Sequence, residues 1–161
     1  MIQVSNLSFS YTKQPFISDM SFSVSPGEIF GFLGPSGAGK STLQKILIGM
    51  LRTYQGSAMV NGVECKKRTK RFYENIGVDF EFSTMYEKLT ARENLQFFSS
   101  LYEKKPRPVD ELLEKAGLAR DADKRVADYS KGMKSRLNFI KALLHDPLLL
   151  CLDEPTSGLD P

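Results

Sequence analysis

The sequence predicts an α/β fold in which an antiparallel β portion opens the chain and a helical segment is inserted before the last strand. Three observations predict it. Apolar and polar residues alternate through most of the first 24 positions, a glycine-rich loop joins a short apolar run to an amphipathic stretch, and the apolar run Leu148 to Leu152 ends in two carboxylates. A period of two marks strands and a period near 3.6 marks helices, and both occur here around loops.

Ile2 and Val4, then Leu7, Phe9 and Tyr11, keep period two with a slip at Ser5 and Asn6, which predicts a half-buried strand with a bulge. Met20, Phe22 and Val24 predict a second strand, and Pro26-Gly27 a turn. The run Ile29 to Leu33 is too short for a helix and suits a buried strand leading into the glycine-rich loop. Leu43, Ile46, Leu47, Met50 and Leu51 then recur at helical spacing, Gly56 punctuates, and Asn61-Gly62 predicts a hairpin turn.

Ile76 to Phe80 reads as another strand, after which the pattern is helical up to residue 146. Thr90 and Glu93 form a capping box ahead of Leu95, Phe98, Leu101 and Tyr102. Pro108 opens a second helix that Gly117 closes, and a third starts at Ser130 and buries Met133, Leu137, Ile140 and Leu144. Asp146 and Pro147 stop it, and Leu148 to Leu152 reads as a strand buried in a parallel sheet. The expected organisation is a single domain over 1–161, with a helical subdomain over about 82–146.

The net charge of +3, from 22 basic and 19 acidic residues, is too balanced to mark a nucleic-acid-binding surface. The brief basic cluster Lys66, Lys67, Arg68, Lys70 and Arg71, with only Phe72 and Tyr73 beside it, is better read as a solvated face than as a nucleic-acid or lipid contact. Cys65 and Cys151 lack metal or disulfide spacing and read as structural thiols in a reducing compartment. No run of about 18 apolar residues is present, so no membrane span is expected.

Gly34, Gly39, Lys40 and Ser41 satisfy G-x-x-x-x-G-K-[ST] within GPSGAGKST. The glycines let backbone N–H groups curl around phosphate oxygens while the following helix presents its positive end. Lys40 is expected on the β- and γ-phosphates and Ser41 on Mg²⁺, with Gly37, Ala38 and Thr42 completing the cradle. The alternative is a chance match in a glycine-rich turn, and the strand before and helix after the loop argue against it.

Asp153 and Glu154 end the last apolar run, at the carboxyl edge where α/β sheets place chemistry. Asp153 is expected to hold Mg²⁺ through water, and Glu154 to orient or deprotonate the water that attacks the γ-phosphate. Two carboxylates merely solvating a turn is the competing reading. The order of phosphate loop, long insert and acidic strand end is that of an NTP hydrolase.

Over nearly the whole chain these segments resemble the ATP-binding cassette ATPases of ABC transporters. YSKGMKSRL, Tyr129 to Leu137, is similar to that family's signature motif in an exporter-type form, and LLLCLDEPTSGLDP, Leu148 to Pro161, to its acidic strand and aspartate loop. The resemblance implies a P-loop NTPase fold, the ABC cassette, with an N-terminal antiparallel β subdomain and an inserted helical subdomain. It implies ATP and Mg²⁺ as ligands, with Gly34, Pro35, Ser36, Gly37, Ala38, Gly39, Lys40, Ser41 and Thr42 around the phosphates and Tyr11, or else Phe9, stacked on adenine. Ser130, Lys131, Gly132 and Met133 would contact the γ-phosphate of a facing subunit, and Asp160 would lie in the seam of a head-to-tail dimer. Simple helix capping is the alternative role for Ser130, and packing on the sheet that for Tyr11.

Ile76 to Leu95 is similar to the family's loop touching nucleotide and permease, but the usual glutamine aligns with Glu81. A carboxylate also binds Mg²⁺ and adds negative charge near the γ-phosphate, so altered metal dependence is expected. The family's switch histidine lies beyond the aspartate loop, past Pro161, which leads to the expectation of a C-terminally incomplete domain. The one histidine, His145, falls at a helix C-terminus, where an imidazolium would complement the dipole.

Phe82, Phe97, Phe98 and Tyr102 supply aromatic surface, part of it core and part of it a groove near Glu81 for a permease helix. The resulting expectation is an ATPase on the inner face of the cell membrane, held there by a separate permease, favouring export, and binding no nucleic acid. A truncated module that binds nucleotide without hydrolysis is the alternative, and a soluble cassette acting on ribosomes or DNA, which would show tandem cassettes or coiled-coil insertions, a third.

Overall fold

The structure is a computed structural model that describes residues 1–80 and 84–153. The chain divides into two compact units, Met1–Phe72 and Tyr73–Pro161.

The first unit is built on an antiparallel sheet in the order β2-β1-β3-β4, with β1 Ile2–Phe9, β2 Ile17–Val24, β3 Gln55–Val60 and β4 Val63–Glu64. Ile2, Val4, Leu7 and Phe9 of β1 are buried, so the expected bulge has a plain cause: the slip keeps both halves of the strand facing the core. The register against β3 shifts between Ser5 and Ser8, and Asn6 takes φ 48°. Gly56 faces this bulge at φ 77°, and a Cβ there would lie 2.3 Å from the Asn6 carbonyl oxygen. Asn61 and Gly62, both with positive φ (51° and 76°), form the predicted tight hairpin turn.

Helix α1, Lys40–Leu47, packs on β3 and buries Leu43, Ile46 and Leu47. It ends earlier than its apolar spacing predicts. Gly49 at φ 72° closes it, and Met50 is exposed. A Cβ on Gly49 would meet Arg68 Cδ at 2.4 Å and the Cys65 carbonyl oxygen at 3.0 Å, so the position suits only glycine.

The strand expected at Ile29 to Leu33 is not formed. Its alternation persists, since Phe30 and Phe32 both pack on Phe22 of β2, with ring centroids 5.3 and 5.1 Å away, while Ile29 and Leu33 are fully exposed. A strand also needs a hydrogen-bonded neighbour, and among the described residues none pairs with this run.

α2, Lys70–Tyr73, is one turn at the division between the units. In the second unit β5, Ile76–Asp79, and β6, Leu149–Leu152, pair in parallel, Ile76 opposite Leu149 and Asp79 opposite Leu152. Between them come α3, Ala91–Ser99, α4, Val109–Lys115, and α5, Lys131–Ala142. Their apolar stripes meet in a core of Leu95, Leu112, Leu113, Leu118, Leu137 and Ile140. The predicted caps are present: the reciprocal Thr90 and Glu93 box on α3, Pro108 before α4, and Gly117 at φ 65° after it.

β6 is less buried than a continuous apolar run suggests. Its first three residues are only half-buried, and Leu148 just before it is exposed. Gly77 brings β5 against the end of α5, where a Cβ would lie 2.2 Å from the Ala142 carbonyl oxygen.

His145 corrects the imidazolium expectation. It is 1% exposed, stacks on Tyr102 at 3.9 Å, and has Nε2 3.0 Å from the Ile76 carbonyl oxygen. Burial holds its pKa below the ordinary value, favouring the neutral ring. Buried Cys65 donates from Sγ to the Leu47 carbonyl at 3.2 Å, and burial pushes the Cys151 thiol up to about 11, as a structural thiol should be.

Candidate functional site

The glycine-rich loop turns where Ala38 donates its N–H to the Pro35 carbonyl at 3.2 Å. Gly37 and Gly39 take φ 81° and 91°, conformations that side chains rarely adopt. Lys40 closes the curl, donating from Nζ to the carbonyl oxygens of Gly34 and Pro35 at 2.8 and 2.9 Å. Gly39 gives α1 no side-chain cap, and its first turn carries no acidic residue. A helix start without a carboxylate, a lysine over it and glycines that open the backbone together suit a phosphate group.

Tyr11 is 57% exposed, and its hydroxyl lies 3.0 Å from Thr42 Oγ1. Its ring meets Phe9 and Phe16 edge-on, with centroids 4.7 and 5.5 Å away. Phe9 is 4% exposed and has no open face. Of the two aromatic candidates, Tyr11 is the one with ring surface to offer beside the loop.

In the second unit Ser130 caps α5, its hydroxyl accepting from the Met133 N–H at 3.2 Å. Ser130 and Lys131 are exposed, and Gly132 and Met133 are half-buried. Lys134 next to them pairs with Glu87 at 2.8 Å. The signature residues thus form one exposed helix start, whose cap is local.

Asp153 follows β6, and its N–H donates to the Asp79 carbonyl at 3.1 Å. Asp79 is a buried carboxylate that accepts from Asn138 Nδ2, which also donates to the Phe80 carbonyl at 3.1 Å. Lys141 Nζ donates to Asn138 Oδ1 at 3.0 Å and to Thr84. Burial pushes the Asp79 carboxyl up and the Lys141 amine down, and Asn138 and Lys141 oppose the first shift as Asp79 opposes the second. Sequence reasoning missed this network. Its signal was an aspartate inside the apolar run IGVDF and an Asn-Lys pair at i, i+3 on a helix otherwise read only for its apolar stripe.

Glu81, Phe82, Glu154 and Asp160 lie outside the described residues. Ser41 and Asp153, the described candidates for Mg²⁺, are a hydroxyl and a carboxylate, hard oxygen donors of the kind that ion takes alongside water and phosphate. Among the described residues no group of three or more His, Cys, Asp or Glu gathers to hold a metal, and no helix is long and apolar enough to cross a membrane.

The family model described as ABC transporter matches residues 17–157, from β2 to just past the acidic pair. The chain belongs to the ABC transporter family. It is 53% identical over 163 residues to a fluoroquinolones export ATP-binding protein of Mycobacterium tuberculosis, covering 100% of this chain and 54% of that protein. The chain spans about half the length of the curated relatives it matches.

A solved ATP-binding subunit of an ABC transporter superposes with a TM-score of 0.86 at 32% identity, covering 99% of this chain and 68% of that one. The dimeric cassette MJ0796, solved in a post-hydrolysis state with ADP and Pi, gives 0.86 at 23% identity over 99% of this chain and 76% of its own. The fold is that of the ABC cassette within the α/β P-loop NTPases, with an N-terminal antiparallel sheet. Tyr11 and Asp160 fall outside the family match.

Proposed function

We propose that this cassette binds ATP with Mg²⁺ at Gly34 to Thr42 and hydrolyses it to drive a separate membrane permease in the export direction. The observation that carries the reading is the loop itself: Lys40 drawn over a curl that Gly37 and Gly39 make in left-handed backbone. The name of the Mycobacterium relative supports export.

Phosphoryl transfer asks for neutralised charge and a positioned nucleophile. Lys40 takes the first task at the β- and γ-phosphates, and the loop N–H groups from Ser36 to Ser41 share it. Ser41, Asp153 and Glu81 are the residues that would hold Mg²⁺. When bound, the ion neutralises charge on the β- and γ-oxygens. Glu154 takes the second task by orienting the attacking water, and Tyr11 offers its open ring to adenine.

The exposed start of α5, Ser130 to Met133, serves the ATP of a second cassette, with Asp160 in the seam. The dimeric solved relative supports such pairing. The assembly sits on the cytoplasmic face of the membrane through its permease, and nucleic acid is no partner.

The test is a binding and turnover pair. Labelled ATP retained by the wild-type chain and lost with Lys40→Ala supports the loop, and phosphate release abolished by Glu154→Gln supports hydrolysis. ATP binding that survives Lys40→Ala would sink the reading. Binding without any phosphate release would leave a nucleotide-binding module in place of the enzyme.

A further inference from the structure

Asn138 sits on α5 against the carboxyl end of β5. Its single amide group makes four contacts. Nδ2 donates to the Asp79 carboxylate and, at 3.1 Å, to the Phe80 carbonyl. Oδ1 accepts from Lys141 Nζ at 3.0 Å and from Thr84 Oγ1 at 3.4 Å. The same Asp79 accepts the Asp153 N–H on its main-chain carbonyl at 3.1 Å. From a helix side chain to Asp153 the path is therefore two hydrogen bonds through one residue.

We propose that Asn138 is a positioning residue for Asp153, fixing the carboxyl end of β5 to α5, and through the Asp79 carbonyl the residue after β6, so that the Asp153 carboxylate is set for Mg²⁺. The proposal rests on the reading of Asp153 given above. An amide suits the position as no apolar side chain can, because it gives two donors to two acceptors on adjacent residues and takes Lys141 on its oxygen. Asn138 and Asp79 are 3% and 5% exposed, so an acceptor left without its donor there is not compensated by water. Replacing Asn138 by leucine strands the Asp79 carboxylate and the Phe80 carbonyl together. The end of β5 then has no fixed register against the helix, and Asp153 moves with it.

The reciprocal exchange is chemically possible. Asp79→Asn combined with Asn138→Asp keeps one amide opposite one carboxylate and leaves Lys141 beside the carboxylate now carried by α5, but the Phe80 carbonyl loses its donor, so the rescue is partial. A purely space-filling role for Asn138 predicts no such rescue.

The experiment measures binding of a fluorescent ATP analogue to the full 161-residue chain, once with Mg²⁺ and once with EDTA. The readout is the ratio of the two dissociation constants. Asn138→Leu is expected to shrink the magnesium effect by about tenfold, the scale on which partners of metal ligands act, while the EDTA value stays unchanged. The double variant Asp79→Asn with Asn138→Asp is expected to restore part of it.

Asn138→Ala is measured in parallel, and if neither single variant folds, the exchange decides: a magnesium effect that persists in it supports the proposal, and a ratio of one in a folded protein overturns it. A ratio that Asp153→Asn abolishes but Asn138→Leu leaves intact overturns the proposal alone. A ratio near one in the wild type, or one indifferent to Asp153→Asn, overturns the reading of Asp153 and the proposal with it.

Discussion

The hydroxyl of Tyr11 lies 3.0 Å from that of Thr42, tying the segment after β1 to the first turn of α1. The ring carries the face proposed for adenine, and the hydroxyl carries the tie, so the two can be separated by mutation. Tyr11→Phe should keep nucleotide affinity within about twofold, because it loses one partly solvated hydrogen bond. Tyr11→Ala should weaken ATP about tenfold, the scale of one base on one aromatic ring. Equal losses in both variants, measured by fluorescence titration, would contradict the stacking role.

Gly56 answers for the bulge in β1. Alanine there meets the Asn6 carbonyl oxygen and must hold φ 77°, so Gly56→Ala should destabilise the first unit by at least about 2 kcal/mol. Urea denaturation checks it: the midpoint should fall while the slope stays constant.

Thr90 and Glu93 satisfy each other's main-chain N–H groups at the start of α3. Thr90→Ala removes one half of that exchange and should cost about 1 kcal/mol. Thr90→Ser keeps the hydroxyl and should cost less, which thermal melts of the two variants will decide.

His145 gives a pH dependence whose sign follows from its burial. Its folded pKa lies below the ordinary value of about 6.5, so the unfolded chain takes up the proton first. Stability owed to the neutral ring is whole above about pH 6.5 and is lost as pH falls toward the folded pKa. Glu74 and Asp146 nearby oppose the shift, and Lys104 adds to it. The drop in melting temperature from about pH 7.5 to about pH 5.5 should be smaller in His145→Phe, which keeps the stack on Tyr102, than in the wild type. Equal drops would show that the ring does not titrate in this way.

The parts of the fold that were legible in the sequence are those whose cause is local. The Asn61-Gly62 turn, the Thr90 and Glu93 box, and the Pro108 and Gly117 boundaries each depend on residues within a few positions, and each stands as read. What failed depends on neighbours far along the chain. Ile29 to Leu33 has strand alternation but no ladder partner among the described residues; the early end of α1 is the exception, set locally by Gly49 at φ 72°.

The curl of residues 34–40 was legible because its backbone demands glycine at Gly37 and Gly39. The Asp79, Asn138 and Lys141 network was not, since its members stand up to 62 positions apart (141 minus 79) and none belongs to a recognisable motif.

The pairing of β5 with β6 sets Ile76 opposite Leu149, 73 positions later (149 minus 76), whereas the β3 and β4 hairpin closes over Asn61 and Gly62. Loop-closure entropy makes the hairpin quick to form and the parallel pair slow. As the chain leaves the ribosome, α3, α4 and α5 must gather before β6 finds its place, and the half-buried leucines of β6 stay uncovered until then. A chaperone that holds apolar strands would meet the chain through Leu149 and Leu150 of β6.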